Sequence, residues 1–384
     1  MTETTETTKT TKKTQTQPKG THTMGTEQDH QPQALHVVVG GQFGSEAKGH
    51  VTHRIIRHSK ANPGRRIVNV RVAGPNAGHT VITDSGQPLA LRAIPVGAAT
   101  PGADLVIAPG SEIDLSVLYS EIAACAQAGE PIDGRLMIHP EATVLTPNHI
   151  AAETNVELTR RIGSTGKGIG AARADRIMRT ASRVADLDQD ELDQLAAAGA
   201  TVLRPDTYSR IMSGYDVTVI EGTQGYGLGL HAGFYPQCTS SDCRAIDFMA
   251  MAGLSPWQYD ETTVWVALRP YPIRVAGNSG PLRGETTWRQ LGLRPEKTTV
   301  TQKTRRVGTW DPQLARDAVQ ANGTRAVRLA LTMADQVDPR VEGCTDSNKL
   351  LQSGPVRDWV IRARQDAGAP VALVTTSANT GVFL

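Results

Sequence analysis

The residues best suited to chemistry lie in a glycine-rich stretch near the start of the chain, LHVVVGGQFGSEAKGHVTHRII (residues 35–56). Residues 35–39 predict a short buried strand, the glycines after it predict a tight loop, and Lys48 opens an amphipathic helix that runs to His58. In such an arrangement backbone N–H groups and the helix N-terminus point at phosphates, and the lysine neutralises charge. The strict P-loop spacing is missing, because neither Ser nor Thr follows Lys48 directly. The stretch therefore indicates a P-loop-like phosphate site, with a glycine-rich turn in an α/β sheet as the alternative.

Further polar segments could join this site. GPNAGHT (residues 74–80) places His79 between small residues, and GSTGKGIGAARADRIMRTASR (163–183) combines an open, glycine-rich backbone with arginines. The others are EGTQG and the loop after it (221–243), TQKTRRVGTWD (301–311) and TMAD (332–335). Three of them have an ordinary alternative: for residues 74–80 a turn histidine with a structural hydrogen bond, for 163–183 a flexible loop before a solvated basic helix, and for 301–311 a solvated basic loop.

The elements that must position these loops alternate between strand and helix. The pattern predicts strands at residues 35–39, 66–72, 89–94, 104–108, 136–139, 216–220, 263–269, 326–331 and, as the final strand, 370–375. It predicts helices that end at His58 and that cover 115–128, 147–161, 186–198, 205–212, 314–320 and 356–366. This alternation is typical of an α/β fold with a mostly parallel central sheet and surrounding helices. Ligands of such sheets bind beyond the carboxyl ends of the strands, where the polar loops fall, so we expect one composite site.

Composition restricts the class of protein. The 384 residues are 39% hydrophobic and 20% charged, which is ample for a core, and a net charge of +2 gives no electrostatic case for nucleic acid binding. Four cysteines show neither metal-ligand spacing nor a disulfide framework, so we expect a reducing cytoplasm. No apolar run approaches the roughly 20 residues that span a membrane, and no signal peptide is recognisable. Residues 1–33 are Thr-rich and low in complexity, which predicts a disordered tail before a single catalytic domain at 34–384.

The motifs together identify a resemblance. GGQFGSEAKGH, GPNAGHT, GSTGKGIGAARADRIMR, EGTQG with YPQCTSSDC, and KTRRVGTWD resemble, in the same order, the motifs of the adenylosuccinate synthetase family. The resemblance covers nearly the whole chain from about residue 35. It implies the family's fold and a magnesium-dependent ligase that acts as a homodimer. Such enzymes couple nucleoside triphosphate hydrolysis to the condensation of aspartate with the 6-oxo group of a purine nucleotide, through a 6-phosphoryl intermediate.

The sequence also departs from the family pattern. The family's first loop reads G-D-E-G-K-G-K, so Ser45 stands where the family has its catalytic aspartate. The nucleobase loop, usually N/T-K-x-D, is here TMAD, and the last strand lacks the Pro and Arg of S-T-G-P-x-R. These changes are similar to the viral branch of the family, which makes N6-succino-2-amino-2'-deoxyadenylate from dGMP and aspartate, for 2-aminoadenine in phage DNA. A viral origin would place the protein in the host cytoplasm.

The resemblance implies roles for individual residues. Ser45, Lys48 and His79 would be catalytic, with His79 as general acid and phosphate ligand, and magnesium would be held by Ser45 and the backbone carbonyl of Gly78. The purine nucleotide would contact Ser45, Asn76, Ala77, Thr165, Gln224, Thr239, Lys303 and, from the partner subunit of a homodimer, Arg179. The triphosphate would contact Gly44, Ala47, Lys48, Gly49, His79, Thr80, Arg305 and Asp335. The substrate aspartate would contact Thr301, Lys303 and Arg305. Lys303 replaces a family arginine and loses its bidentate fork.

Ser45 raises a specific hypothesis about the substrate. The family aspartate takes the N1 proton of hypoxanthine, and a serine hydroxyl is a poor base near neutral pH. A small neutral Ser45 leaves room for the 2-amino group of guanine and can accept a hydrogen bond from it. The triphosphate would be ATP or dATP by the viral resemblance, or GTP by the retained Asp335.

Two other functions stay open at this stage. One is an ordinary adenylosuccinate synthase that acts on IMP with GTP. The other is a catalytically silent nucleotide-binding protein, against which the retained His79, Lys48, Gln224 and Arg305 argue. A regulatory GTPase explains the sequence least well, because it accounts for none of the later motifs.

Overall fold

A computed structural model describes residues 1–2, 32–298 and 303–384 of the protein. The strands are, in chain order, β1 (Ala34–Gly40), β2 (Ile67–Arg71), β3 (His79–Ile82), β4 (Pro88–Leu91), β5 (Ala103–Ile107), β6 (Glu112–Ile113), β7 (Leu136–Ile138), β8 (Thr143–Val144), β9 (Ala200–Val202), β10 (Val217–Glu221), β11 (Glu261–Leu268), β12 (Ile273–Arg274), β13 (Glu285–Thr286), β14 (Arg306–Gly308), β15 (Val327–Leu331), β16 (Val371–Thr375) and β17 (Gly381–Phe383). The helices are α1 (Lys48–Lys60), α2 (Leu115–Gln127), α3 (Pro147–Asn155), α4 (Leu158–Ile162), α5 (Ile169–Met178), α6 (Gln189–Ala197), α7 (Tyr208–Met212), α8 (Ala245–Met251), α9 (Pro312–Asn322), α10 (Ser347–Gln352) and α11 (Gly354–Ala367).

Ten of these strands form the central sheet, in the order β17-β16-β15-β11-β1-β10-β2-β5-β7-β9. All neighbouring pairs are parallel except β16 and β17, which run antiparallel at one edge. The predicted mostly parallel sheet is therefore confirmed. Because the parallel strands end at the same edge, the loops after β1, β2, β10, β11, β15 and β16 converge there.

The central strand β1 packs on both of its faces, as the alternation of its side chains requires. Leu35, Val37 and Val39 join a cluster that includes residues of α8, α9 and α11, whereas Val38 joins a second cluster with residues of α1. Helices thus cover both faces of the sheet, and β1 is buried throughout most of its length. This layering fixes the position of the loop that follows β1.

Several helix ends are set by residues that the sequence supplies locally. The Asp114 carboxylate accepts the backbone N–H groups of Ser116 and Val117 at the start of α2. Asp311 caps α9 in the same way, just before a proline in its first turn. Each such cap is worth about 1 kcal/mol, because it satisfies backbone donors that have no partner within the helix.

Four predicted elements need correction. The predicted strand at 89–94 is instead β4, which pairs antiparallel with β3, so His79 and Thr80 begin a strand and do not end a loop. The predicted helix at 147–161 divides into α3 and α4, because Glu157 adopts a left-handed conformation with φ 51°. The predicted helix at 205–212 begins with a 3₁₀ turn at Pro205–Thr207 before α7. The strand at 370–375 is not the last, since β17 follows it.

Residues 3–31, which make up most of the predicted disordered tail, lie outside the described residues, and so does Thr301. The described residues from Pro32 onward belong to one structural unit. Within that part of the chain, no helix combines the length and apolar character needed to cross a membrane.

Candidate active site

A large cavity of about 1140 Å³ opens at the edge of the sheet where the parallel strands end. Most of the residues predicted for the site line it: Gly44, Ser45, Ala47, Lys48, Gly49, Asn76, Ala77, Gly78, His79, Thr80, Thr165, Gln224, Lys303, Arg305 and Asp335. The cavity is large enough to hold more than one small molecule. The loops that the sequence analysis assigned to one composite site therefore do surround one space.

The loop after β1 is held by a buried carboxylate. Glu46 accepts the backbone N–H groups of Gln42 at 3.1 Å and Gly44 at 2.7 Å, and its other oxygen accepts Lys48 Nζ at 2.7 Å. The loop also needs Gly40, since a Cβ there would lie 2.5 Å from the carbonyl oxygen of Gln224. This arrangement fixes the lysine at the N-terminus of α1 and leaves two of its N–H donors for a ligand.

Two residues without glycine's freedom adopt left-handed backbone in this loop. Ser45 has φ 60° and Ala47 has φ 53°. A left-handed conformation costs a non-glycine residue roughly 1–2 kcal/mol, so other contacts must hold it. For Ser45 one such contact is from Arg269, whose Nη1 donates to the Ser45 carbonyl oxygen at 3.1 Å.

His79 lies against the N-terminus of α1, and its Nδ1 contacts the carboxylate of Glu221. A Cβ on Gly49 would lie 2.5 Å from the Cβ of His79, so the close approach requires a glycine there. His79 Nδ1 contacts Glu221 Oε1 at 2.5 Å, and Arg71 Nη1 donates to the same carboxylate oxygen. The second oxygen of Glu221 accepts the backbone N–H of Val96 at 2.9 Å. His79 Nδ1 therefore carries a proton toward Glu221, and Nε2 is the nitrogen left for a ligand.

The charge state of this pair follows from burial and from its neighbours. Burial lowers the pKa of His79, with Arg71 and Lys48 acting in the same direction, although Glu221 opposes them. Burial alone would raise the pKa of Glu221, but Arg71 and the hydrogen bond from His79 bring it below its usual range. In the ligand-free protein we therefore assign a neutral imidazole beside an ionised carboxylate.

On another side of the cavity, residues 296–298 and 303–305 come together. The backbone N–H of Arg305 donates to the Glu296 carbonyl at 2.9 Å, and Thr298 exchanges hydrogen bonds with the backbone of Lys303. Burial lowers the pKa of Arg305. Lys303 and Arg305, which follow Thr301 in the chain, thus both line the cavity.

Asp335 reaches the cavity from the 3₁₀ turn after β15. Burial raises the pKa of its carboxyl group. The turn is joined to the end of β16, since the backbone N–H of Met333 donates to Thr375 Oγ1 at 3.1 Å. The neighbouring Gln336 donates to Glu296 at 3.2 Å, so the two loops on this side of the cavity are connected.

Two predicted residues lie away from the cavity lining. Thr239 is half-buried, and its backbone N–H donates to Leu228, a lining residue, at 2.7 Å. Arg179 is exposed at the C-terminal end of α5, where it has φ 65°. It stands next to Ile177 and Met178, whose side chains are 70% and 69% exposed.

Sequence reasoning missed several residues that hold the site together. Glu221 and Arg71 form a fully buried ion pair, and Arg269 joins Ser45 to Glu296. One signal was available for the first pair, because charged residues within otherwise apolar strands are seldom buried without a partner. Which partner each one finds depends on strand order, and the sequence does not state that order.

Comparisons with known proteins identify the family of this chain. The sequence profile described as Adenylosuccinate synthetase matches residues 37–216 and 205–346. Among curated relatives, the adenylosuccinate synthetase of Thermococcus sibiricus is 34% identical over 343 residues, which cover 89% of this chain and 95% of the relative. That of Methanococcus vannielii is 35% identical over 344 residues, with 88% and 95% covered.

Solved structures give similar results. The succinoaminodeoxyadenylate synthetase of cyanophage S-2L, bound to dGMP and to dATP as an energy donor, superposes with a TM-score of 0.76 at 26% identity and covers 92% of this chain and 95% of its own. The fully ligated adenylosuccinate synthetase of Plasmodium falciparum superposes with a TM-score of 0.71 at 17% identity, with 91% and 99% covered. The second likeness is evidence of the fold alone.

Proposed function

This chain belongs to the adenylosuccinate synthetase family, and we propose that it condenses L-aspartate with the 6-oxo position of dGMP to give N6-succino-2-amino-2'-deoxyadenylate. The observation that carries the proposal is Ser45, a small neutral side chain that lines the cavity where the family pattern has an aspartate. The phage synthetase with bound dGMP and dATP supports it, since it covers almost the whole of this chain.

The reaction needs activation of a poor leaving group. Transfer of the γ-phosphoryl group to O6 of the purine, with loss of the N1 proton, makes C6 electrophilic. The amine of aspartate then adds to C6, and phosphate leaves with the former O6. Stabilisation of charge on the transferring phosphoryl group is the main task of the protein.

Lys48 and His79 are the residues to which we assign that task. The two N–H donors of Lys48 that Glu46 does not use can bind phosphate oxygens. His79 is neutral in the free protein, and its Nε2 takes up a proton when a polyphosphate raises the pKa of the ring. Glu221 then faces an imidazolium and stabilises it, so that His79 can donate a proton to the phosphate leaving group.

Magnesium is the cation that the family fold implies, and the donors at the cavity fit it. Ser45 and Gly78 both line the cavity and offer a hydroxyl and a carbonyl oxygen, the atom type that Mg²⁺ prefers. Ser45 is a weaker ligand than the family aspartate, because its hydroxyl is neutral. Bound magnesium would supply positive charge that stabilises the phosphate groups of the nucleoside triphosphate.

The purine nucleotide would lie along Asn76, Ala77, Thr165 and Gln224, and the aspartate carboxylates would meet Lys303 and Arg305. For the triphosphate we propose ATP or dATP, with Asp335 accepting a hydrogen bond from the adenine amino group. An ordinary synthetase that uses IMP and GTP is the second candidate. The specific observation in its favour is that the curated relatives at 34% and 35% identity carry that name.

We also propose that the enzyme works as a homodimer in which Arg179 acts in the partner's cavity. Arg179 is absent from the lining of its own cavity and is exposed at the end of α5. Ile177 and Met178 beside it are exposed apolar side chains of the kind that subunit interfaces bury.

The test of the proposed substrate is the variant Ser45→Asp, assayed as kcat/KM for dGMP and for IMP with ATP, magnesium and aspartate at saturation. The unchanged protein should prefer dGMP. The variant should shift this preference toward IMP by about 10-fold, the equivalent of one hydrogen bond to the 2-amino group plus a restored base.

The matched control is Ser377→Asp, which adds the same charge at a serine that lines the cavity from the loop after β16. It should leave the preference between dGMP and IMP as it is. If Ser45→Asp behaves like this control, Ser45 does not select the purine and the proposal fails.

A further inference from the structure

Arg92 is a cationic residue of the cavity to which no role has yet been given. It lines the cavity directly after β4. The antiparallel register of β3 and β4 pairs His79 with Leu91, so Arg92 continues the hairpin opposite Gly78. A Cβ on Gly78 would lie 3.5 Å from Arg92 Cγ, which places the stem of the arginine across the glycine. Arg92 is therefore beside the residues that the proposed function assigns to phosphate and magnesium.

The backbone of Arg92 is fixed, but its guanidinium group is not. The buried carboxylate of Glu121 accepts the backbone N–H groups of Arg92 at 2.7 Å, Ala93 at 2.9 Å and Ile94 at 3.0 Å. The carbonyl oxygen of Arg92 accepts Arg71 Nε at 3.1 Å, which ties it to the Arg71–Glu221 pair. The guanidinium comes only to 4.0 Å from Glu121, beyond hydrogen-bond distance. Its donors are thus held at the cavity with room to bind a ligand.

The charges around this position explain which ligand would be bound. Lys48 is paired with Glu46, and Arg71 is paired with Glu221. The phosphate side of the cavity is therefore nearly balanced before a polyphosphate, with several negative charges, enters it. A guanidinium without a close carboxylate partner is suited to that ligand, because its planar fork matches phosphate oxygens.

We propose that Arg92 binds the terminal phosphates of the nucleoside triphosphate, together with Lys48 and His79. This rests on the proposed function for the identity of the ligand, but it concerns a contact that can be measured without the reaction. Arg92 is thus a binding residue for the phosphoryl donor and not for the purine monophosphate.

The experiment is calorimetric titration of the full chain with inorganic tripolyphosphate, with ATP and, separately, with dGMP. In Arg92→Gln the dissociation constants for tripolyphosphate and ATP should rise about 10-fold, as expected for one charge-assisted hydrogen-bonded contact at a half-exposed site. The dissociation constant for dGMP should stay close to that of the unchanged protein. Arg92→Lys keeps the positive charge but loses the planar guanidinium fork. Its dissociation constants for tripolyphosphate and ATP should lie between those of the unchanged protein and those of Arg92→Gln.

The control is Arg160→Gln, another cavity arginine that is already paired with Glu157 and is 77% exposed. It should bind all three ligands as the unchanged protein does. Unchanged tripolyphosphate binding in Arg92→Gln would overturn the inference, and so would an equal loss of dGMP binding. Thermal unfolding of Arg92→Gln should match the unchanged protein, since the guanidinium has no close partner to lose.

Failure of the proposed function can be distinguished from failure of the Arg92 proposal by measuring product formation and ligand binding separately. Suppose that neither the unchanged protein nor any variant forms product, but that Arg92→Gln binds tripolyphosphate more weakly than the unchanged protein. The Arg92 contact is then supported and the ligase assignment is refuted. If product forms from dGMP while Arg92→Gln keeps the affinity and the KM for ATP, the ligase assignment stands and the Arg92 contact falls.

Discussion

Glu221→Gln removes a charge from the centre of the site while keeping the shape of the side chain. Glu221 is fully buried and accepts three donors: Arg71, His79 and the backbone N–H of Val96. The amide of glutamine has one acceptor oxygen, so its NH₂ group must face one of these donors. Arg71, only 1% exposed, would then be left as a buried cation without a counter-charge.

The magnitude follows from these contacts. Breaking a buried ion pair by removing one partner costs about 3–5 kcal/mol, so we expect the free energy of unfolding to fall by about 3 kcal/mol. The effect on kcat should be larger than stability alone explains. His79 loses the carboxylate that supports its protonated form, and general acid catalysis contributes about 100-fold or more to a rate.

The pH dependence has a definite sign. Because the pKa of Glu221 is lowered in the folded protein, its contribution to stability is fully present above the ordinary carboxyl pKa. That contribution is lost only as the pH falls through the lowered value. The stability difference between Glu221→Gln and the unchanged protein should therefore be constant near neutral pH and should narrow in acid.

The assay is urea unfolding, monitored by tryptophan fluorescence. Steady-state phosphate release is measured on the same samples. The control is Glu112→Gln, which breaks another buried ion pair, since Glu112 accepts Arg173 Nε at 2.7 Å without contacting His79. It should lose stability but keep kcat. A folded Glu221→Gln enzyme with unchanged kcat would refute the role given to Glu221.

Three further predictions concern assembly, pH and backbone strain. The variants Lys48→Met and Arg179→Gln should each be inactive alone, and mixing them should restore about one quarter of the activity. Half of the randomly formed dimers contain one subunit of each variant, and each of these mixed dimers has one intact site. No recovery of activity would contradict a site shared between subunits. Burial, then neighbouring charges, lowers the pKa of His50 to about 3 and of His53 to about 4. The unfolded chain binds these protons from about pH 6.5 downward, so urea unfolding should show a loss of about 1.4 kcal/mol for each histidine between pH 7.5 and pH 5.5. Ala47→Gly, at φ 53°, should raise the free energy of unfolding by about 1 kcal/mol by relieving left-handed strain, and an unchanged denaturation midpoint would show that the strain is absent.

The sequence predicted the parts of this protein that depend on local chemistry. The apolar run before the glycine loop predicts a buried strand, and in the structure it forms β1 in the middle of the sheet. The polar loops lie together because parallel strands share a carboxyl edge, which strand and helix alternation already implied. The motifs then assigned residues to that edge, and the structure brings most of them into one cavity.

What the sequence did not predict depends on distant pairing. Arg71 and Glu221 are 150 residues apart and meet because β10 lies beside β2 in the sheet. The sequence does not indicate the hairpin of β3 and β4, because the polar pattern of the glycine loop continues as far as Thr80. The division between α3 and α4 turns on one left-handed residue, Glu157, whose type gives no warning of it.

The most direct test of the central claim is phosphate release by the unchanged protein with ATP, magnesium and aspartate, comparing dGMP with IMP. We predict release with dGMP and little with IMP, which would make Ser45 a specificity residue. Release with IMP alone would return the protein to ordinary adenylosuccinate synthesis. No release with either nucleotide, after GTP has replaced ATP, would contradict the account and favour a silent nucleotide-binding protein.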